Sequence, residues 1–323
     1  MIQTEINELK KEKDAVILAH FYETGDIQDI ADHVGDSLYL AQVSQKLPHK
    51  VILLAGVYFM GESVKILSPE KTVLVPDTKA GCSLVDHSPF DQYLKWRLEN
   101  PKGISMTYVN SSAAVKGISD VICTSSNAET IVKSIPEDRE ILFGPDENLG
   151  KYLAKKLNRK MKFWPGSCEV HVLFSAKKLF LLKEKNPDAL VLAHPECMDS
   201  VLQYADIIGS TSRLIKEVKE NKSTQKFIVA TETGIFHQMK KENPEAILLQ
   251  APFESSCACN DCPYMKLNTL EKIRDALKSL EPQIHLSAKT IKHAKIPLDR
   301  MMKITAGHAV EWPEKFTYRP ATN

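Results

Sequence analysis

Short runs rich in β-branched residues and leucine recur along the chain and predict the strands of parallel sheets. Each run is followed by a polar turn and then by a helix-like stretch. Continuous apolar runs of this length are typical of strands that helices cover on both faces. The runs form three groups of three, at residues 15–20, 51–56 and 72–76, at residues 104–110, 120–124 and 140–144, and at residues 190–194, 206–209 and 226–230.

Helices are predicted between these runs. Residues 129–135 and 212–219 follow good N-capping residues, and residues 151–157 and 270–280 carry helical apolar spacing. The pattern therefore predicts an α/β fold of three similar three-layer α/β/α domains, each with three strands. We place these domains at residues 1–85, 86–182 and 183–323, and the last includes a C-terminal helical tail.

The composition argues against several classes of protein. Of the 323 residues, 43% are hydrophobic and 26% are charged, which is typical of a globular protein, and the net charge of +1 argues against a nucleic-acid partner. No apolar stretch reaches the roughly 20 residues of a membrane span, and no signal-peptide pattern opens the chain. We therefore expect a cytoplasmic protein, whose seven cysteines serve metal binding or catalysis rather than disulfides.

Three cysteines occupy corresponding places in the three groups. Cys82, Cys168 and Cys262 each follow the third predicted strand of their group. Ligands of open α/β sheets bind beyond the carboxyl ends of the strands, so the three loops could meet on one axis and offer one thiolate each. Thiolates favour zinc, copper(I) or an iron–sulfur cluster. Three cysteine ligands would leave one iron of a [4Fe-4S] cluster open, which indicates catalysis by substrate coordination rather than electron transfer.

The remaining cysteines leave alternatives open. Cys123 lies inside a predicted strand and Cys197 follows another, and a packing role is favoured for both. Cys257 and Cys259 form a CxCxxC cluster with Cys262, which could be a structural zinc site, a redox pair or a set of reserve ligands. A non-catalytic metal-binding or redox-sensing protein is therefore one alternative. A different three-cysteine [4Fe-4S] dehydratase or reductase is another.

An ordered set of motifs resembles the quinolinate synthases, the A proteins of bacterial and archaeal NAD biosynthesis. Any one motif is weak alone, but the set covers residues 15–280 in family order and is very specific. In chain order the motifs are residues 19–22 (AHFY), 35–38 (GDSL), 56–62 (GVYFMGE), 76–82 (PDTKAGC), 107–110 (TYVN), 124–128 (TSSNA), 165–168 (PGSC), 194–197 (HPEC), 209–211 (GST), 231–234 (TETG) and 262–268 (CPYMKLN).

The resemblance implies a fold, a reaction and a cofactor. It implies pseudo-threefold symmetry of the three domains around a central active site. It implies condensation of iminoaspartate with dihydroxyacetone phosphate to quinolinate, phosphate and water, and possible transient contact with the enzyme that supplies iminoaspartate. It carries the [4Fe-4S] ligands over to Cys82, Cys168 and Cys262. The CxCxxC spacing departs from the CxxCxxC of many members, which puts the roles of Cys257 and Cys259 in doubt.

Polar residues at strand ends and helix starts are the predicted substrate-binding residues. Hydroxyl and backbone N–H groups at helix starts suit a substrate that carries several anionic groups, although simple helix capping is the alternative. His20 resembles a carboxylate-binding residue of the family. The predicted set is His20, Ser37, Tyr108, Asn110, Ser125, His194, Glu196, Ser210 and Thr211.

Four residues are predicted to take part in catalysis. Tyr22 could shuttle a proton beside a bound oxyanion. Tyr108 alternates with Asn110 along a strand, so both point to one side, where Tyr108 could donate to a carboxylate or enolate. His194 could donate to a substrate carboxylate, and Glu196 could remove a proton beside the open iron. That iron would act as the Lewis acid of a dehydration.

Overall fold

Three parallel sheets of four strands form the framework of the protein, in a computed structural model that describes residues 2–254 and 261–318. In each sheet the second strand pairs with the first, the first with the third, and the third with the fourth. The same order in three consecutive stretches of chain confirms the predicted fold of three similar α/β units. We call these stretches the first, second and third units.

The strands are short, and the four strands of each unit come from one continuous stretch of the chain. The first unit contains β1 (Ala15–His20), β2 (His33–Gly35), β3 (Val51–Ala55) and β4 (Thr72–Leu74). The second unit contains β5 (Ile104–Tyr108), β6 (Val121–Cys123), β7 (Ile141–Gly144) and β8 (Met161–Phe163). The third unit contains β9 (Leu190–Ala193), β10 (Ile207–Ile208), β11 (Lys226–Ala230) and β12 (Ile247–Gln250).

Helices connect the strands and cover the sheets. Those before and within the first unit are α1 (Ile2–Glu12), α2 (Gly25–Ile30), α3 (Ser37–Ser44) and α4 (Tyr58–Leu67). The next are α5 (Ser83–Asp86), α6 (Phe90–Glu99), α7 (Ala113–Lys116), α8 (Ala128–Ser134) and α9 (Glu147–Leu157). The last are α10 (Ala176–Lys185), α11 (Asp199–Leu202), α12 (Thr211–Glu220), α13 (Ile235–Glu242), α14 (Leu270–Ser279) and α15 (Ala288–Thr305).

The prediction of three strands per unit is wrong, because one edge strand was missed in each. The missed strands are β2, β8 and β12, which lie at sheet edges and have exposed or half-buried positions. An edge strand lacks the continuous apolar run that marks a strand covered on both faces. Cys82, Cys168 and Cys262 consequently follow the fourth strand of their units, β4, β8 and β12, and not the third.

The central strands are buried on both faces because their side chains alternate between two cores. Val16 and Leu18 of β1 pack into one apolar cluster, and Ile17 and Ala19 pack into another on the opposite face. The first cluster also contains Met106 of β5, so the first and second units share a core.

The C-terminal helices cover the first two units rather than the third. Helix α14 packs against α1 and β3, and α15 packs against α4 of the first unit and α7, α8 and β6 of the second. The C-terminal tail, which the sequence analysis places in the domain at residues 183–323, therefore packs on the first two units. Within the described residues, no helix combines the length and the hydropathy needed to cross a membrane.

The stability that the N-cap of α14 contributes can be tested by substitution. The Thr269 side chain accepts a hydrogen bond of 3.3 Å from the backbone N–H of Lys272. We expect Thr269→Ala to lower the free energy of unfolding by about 1 kcal/mol, because an N–H group at the helix start loses its acceptor. Urea unfolding followed by circular dichroism measures this, with Thr269→Ser as the control that keeps the hydroxyl. Equal stability of the two variants would contradict the capping role.

Candidate active site

One cavity lies where residues that follow the strands of all three units come together. Twelve of the thirteen residues predicted for substrate binding, catalysis or metal ligation line it. These are His20, Tyr22, Ser37, Cys82, Tyr108, Asn110, Ser125, Cys168, His194, Glu196, Thr211 and Cys262. The exception is Ser210, whose hydroxyl caps α12 by accepting from the backbone N–H of Arg213 at 3.4 Å.

The lining residues occupy equivalent positions in the three sheets. His20 pairs with Gly35 and Tyr108 pairs with Cys123 at the end of the first two strand pairs. His194 follows Ala193, the last paired residue of β9. The carboxyl end of the first strand in each unit therefore presents one polar ring to the same cavity.

Two further sets of three repeat this symmetry. The first set is the three rings at the ends of the first strands. The second set lies two residues further along the chain in each unit and consists of Tyr22, Asn110 and Glu196, so each unit contributes a different group from an equivalent position. The third set follows the second strand of each unit and consists of the hydroxyls of Ser37, Ser125 and Thr211. The three units thus contribute different side chains from equivalent places in their strand order.

Both histidines of the first set are held neutral. Burial lowers the pKa of His20 to about 4 and that of His194 to about 3, although the nearby carboxylates oppose this. His20 Nδ1 accepts from the backbone N–H of Tyr22 at 3.1 Å, so its remaining hydrogen is on Nε2. His194 Nδ1 has no hydrogen-bond partner among the described residues.

Glu196 is an ionised carboxylate at the centre of the polar contacts. Its Oε1 accepts from the Tyr108 hydroxyl at 2.5 Å, and its Oε2 lies 3.0 Å from His171 Nδ1. Burial opposes ionisation, but the rings of His194 and His171 and the hydroxyl of Tyr108 lower the pKa of Glu196 below its ordinary value. Burial and the Glu196 charge in turn raise the pKa of Tyr108 well above its ordinary value, so the phenol keeps its proton.

Asp36 joins the three units at the same cavity. Its Oδ1 accepts from the backbone N–H of Tyr39 at 2.9 Å and so caps α3 in the first unit. Its Oδ2 accepts from the hydroxyls of Ser126 in the second unit and Ser212 in the third, each at 2.6 Å. One carboxylate therefore fixes the relative positions of the three turns that carry the lining hydroxyls.

The three cysteines are half-buried, and their thiols are neutral when no cation is bound. Burial raises the pKa of Cys82 to about 12 and that of Cys262 to about 11, and it raises the pKa of Cys168 well above its ordinary value. The charge on Cys262 acts on Cys82, and the charge on Cys82 acts on Cys168, which further raises these pKa values. Three sulfur atoms that repel one another when ionised are a donor set suited to a soft cation or cluster.

Two buried carboxylates fix the backbone beside these thiols. The backbone N–H of Cys168 donates to Asp146 Oδ2 at 3.3 Å, and that of Cys262 donates to Glu232 Oε1 at 3.2 Å. The other oxygens of Asp146 and Glu232 accept from backbone N–H groups just beyond β7 and β11. Both cysteine loops are therefore tied to the carboxyl end of the third strand in their unit.

The other cysteines of the described chain are in apolar cores. Cys123 lies in β6, and Cys197 packs in the core of the third unit with its thiol 3.4 Å from the carbonyl oxygen of Ala230. The packing role predicted for both is confirmed. Cys257 and Cys259 lie outside the described residues.

Comparison with known proteins identifies the family. The model of the family "Quinolinate synthetase A protein" matches residues 4–303. The chain belongs to this family. A quinolinate synthase of Prochlorococcus marinus (strain MIT 9313) is 49% identical over 299 residues, which cover 93% of this chain and 90% of that protein. A quinolinate synthase of Microcystis aeruginosa is 48% identical over 303 residues, or 94% of each chain. One of Chloroherpeton thalassium is 48% identical over 302 residues, covering 93% of this chain and 94% of that protein.

In this member of the quinolinate synthetase A family, the structure places further residues at the site for which the sequence alone predicted no role. His171 is buried between Cys168 and Glu196, and its Nδ1 lies 3.2 Å from Cys168 Sγ. Cys168, His171 and Glu196 place one donor atom each within 4.8 Å of one another and so form a group that could hold a metal ion. His171 lies three residues after Cys168 without a motif of its own. Thr231 and Asp36 lie in family motifs, but only the fold reveals their partners.

Proposed function

We propose that this protein condenses iminoaspartate with dihydroxyacetone phosphate to form quinolinate, one phosphate and two waters. The observation that carries the proposal is the meeting of three cysteines with polar groups of all three units in one cavity, in a chain whose relatives are named quinolinate synthase. The test is to purify the protein without oxygen and to assay it for quinolinate with both substrates. Failure to form quinolinate with iron and sulfide present would contradict the proposal.

We propose a [4Fe-4S] cluster held by Cys82, Cys168 and Cys262. Their sulfur atoms line the cavity, and among the described residues no fourth cysteine does so. Bound there, a cluster with one iron free of protein ligands would supply a Lewis acid that helps a hydroxyl of the substrate to leave as water. A single metal ion on Cys168, His171 and Glu196 is the competing arrangement.

The anionic substrates are bound by hydroxyl and N–H groups rather than by cations. None of the described residues that line the cavity is a lysine or an arginine. We propose that Ser37, Ser125 and Thr211 donate their hydroxyls to phosphate or carboxylate oxygens, with His20 donating from Nε2. Ser210 was predicted to bind substrate too, and capping does not prevent this, because its oxygen accepts in the cap and its hydrogen can still donate. Since Thr211 lines the cavity and Ser210 does not, Thr211 is our first choice for that turn.

The acid–base steps are assigned to three residues around the cavity. Glu196 is a carboxylate and can remove a proton from the bound substrate. Tyr108 donates to Glu196 in the free protein and can turn to an enolate or carboxylate oxygen of the substrate. Tyr22 keeps its proton, since burial and then the charge of Glu196 raise its pKa well above the ordinary value, and so can deliver it to an oxyanion when the triose keto group isomerises.

Two orientation groups complete the site. Asn110 donates from Nδ2 toward Cys82 Sγ at 3.8 Å and lies beside the substrate cavity. His194, with an unpartnered Nδ1 at the cavity, can hydrogen-bond a substrate carboxylate. We propose the cytoplasm as the location, since three unpaired ligand thiols require a reducing compartment, and a transient contact with the enzyme that supplies iminoaspartate.

Substitution of one lining hydroxyl tests the proposed anion binding. We expect Ser125→Ala to raise KM for dihydroxyacetone phosphate about tenfold and to change kcat less than about twofold, because one hydrogen bond to a charged group is lost in both ground and transition states. Steady-state kinetics at fixed iron content measures this. Ser134→Ala is the matched control, since among the described residues the Ser134 hydroxyl donates only to the carbonyl oxygen of Ile131 in its own helix. An unchanged KM in Ser125→Ala would contradict the assignment.

A further inference from the structure

Lys116 is a fully buried lysine behind one wall of the active-site cavity. It is the last residue of α7, and it is not among the residues that line the cavity. Burial of an ammonium group is costly unless its hydrogens are bound by other polar groups. The partners of Lys116 therefore indicate what the buried charge is used for.

The Lys116 ammonium group binds the carbonyl oxygens on both sides of Asn110. Its Nζ donates to the carbonyl oxygen of Val109 at 2.9 Å and also to that of Ser111. The same Nζ lies 5.3 Å from the centroid of the Phe59 ring, and the face of an aromatic ring attracts a cation. Two carbonyl oxygens and one ring thus surround an ammonium group that has three hydrogens to donate.

The segment that Lys116 binds is a three-residue turn with Asn110 in the middle. The backbone N–H of Ser111 donates to the carbonyl oxygen of Val109 at 2.8 Å, which is the hydrogen bond of a γ-turn. The backbone N–H of Val109 donates to the carbonyl oxygen of Cys123 at 2.8 Å, so the first residue of the turn is fixed by β6. The carbonyl oxygen that follows Asn110 is held by Lys116.

A carboxylate of the first unit supports the same region. Glu62 of α4 accepts at Oε2 from the backbone N–H of Ala113, the first residue of α7, at 2.9 Å. Burial lowers the pKa of Lys116 to about 8, and the negative charges of Glu62 and of ionised Cys82 oppose this. The ammonium group therefore keeps its proton at neutral pH and lies close enough to Cys82 for their charges to interact.

We propose that Lys116 is a positioning residue for Asn110, which it directs into the cavity beside Cys82 by holding the carbonyl oxygens on both sides. Asn110 Nδ2 donates toward Cys82 Sγ at 3.8 Å, so a rotation of the turn would withdraw the amide from the thiol and from the substrate. The inference rests on the proposed role of Asn110 as an orientation group. It places a cation behind a cavity whose described lining contains no lysine or arginine.

Lys116→Met removes the ammonium group and keeps most of the buried volume. We expect kcat to fall about tenfold to a hundredfold, with KM for dihydroxyacetone phosphate changed less than about twofold, because the substrate still binds but a group that orients it is displaced. Lys65→Met is the matched control, since Lys65 also donates to two backbone carbonyl oxygens, those of Pro69 and Lys71, and does not line the cavity. Bound iron should be the same in both variants. Full kcat in Lys116→Met would overturn the inference.

A double substitution distinguishes positioning from general damage to the fold. If Lys116 acts through Asn110, then Lys116→Met should cause no further loss of kcat in the Asn110→Ala background. Losses that multiply would overturn the inference while leaving the proposed function intact. If Lys116→Met does not fold, Lys116→Gln takes its place with the same expectations, because its shorter side chain has no ammonium group to hold both carbonyl oxygens.

Crystal structures of the unsubstituted protein and of Lys116→Met, both without substrate, test the positioning without any reaction. We expect the turn at residues 109–111 to shift by about 1 Å or more in the variant, a displacement large enough to cause the expected loss of kcat, and the Asn110 amide to turn away from Cys82. An unchanged turn would overturn the inference. If the turn shifts but the unsubstituted protein forms no quinolinate, only the proposed function is refuted.

Discussion

Cys82→Ala is expected to lose both its bound cluster and its activity. With Cys82, Cys168 and Cys262 as the three ligands, removal of one leaves two thiolates for a cluster that normally needs at least three protein ligands. Anaerobic preparations of the unsubstituted protein should contain about four iron and four sulfide per chain, and the variant should contain neither above background. Quinolinate formation should fall to the limit of detection with the same substitution.

Cys82 is the informative position because the competing arrangements do not use it. A single ion on Cys168, His171 and Glu196 would survive Cys82→Ala, and so would a site built only from the CxCxxC cluster. Cys123→Ala is the matched control, since that thiol lies in an apolar core and does not line the cavity. Iron retained in Cys82→Ala at the level of Cys123→Ala would refute the cluster assignment.

Much of the fold could be predicted because the central strands are buried on both faces. The run at residues 15–20 is buried throughout as β1, and such runs are recognisable in a single sequence. Edge strands carry no such signal. β12 begins at Ile247, which is 50% exposed, and β8 alternates buried, exposed and half-buried positions, so neither forms an apolar run.

The location of most site residues could be predicted, chiefly from the resemblance to the quinolinate synthases, but their partners could not. Parallel strands bring their carboxyl ends to one edge, which explains why His20, Tyr108 and His194 lie at a common site. The contact between Tyr22 and Thr231 joins positions 209 residues apart, and nothing in either local sequence specifies it. Hydrogen-bond partners of this kind depend on how the three units pack, which the periodicity of one strand does not encode.

Glu196→Gln is expected to lower kcat about 1000-fold while leaving the cluster in place. The carboxylate is the only proposed base that is ionised in the buried site, and loss of a positioned general base typically costs a factor of this order. The amide is nearly isosteric but presents an N–H₂ group where Glu196 has an oxygen. That group would face either the Tyr108 hydroxyl or His171 Nδ1, both of which donate to Glu196 in the unsubstituted protein.

Kinetics with both substrates measure the loss of kcat, and iron analysis measures whether the cluster stays in place. Glu129→Gln, at an exposed salt bridge with Lys133, is the control for a lost carboxylate. If iron is lost together with activity, Glu196 is a metal ligand and the three-cysteine assignment fails; if kcat falls less than about tenfold, another group is the base.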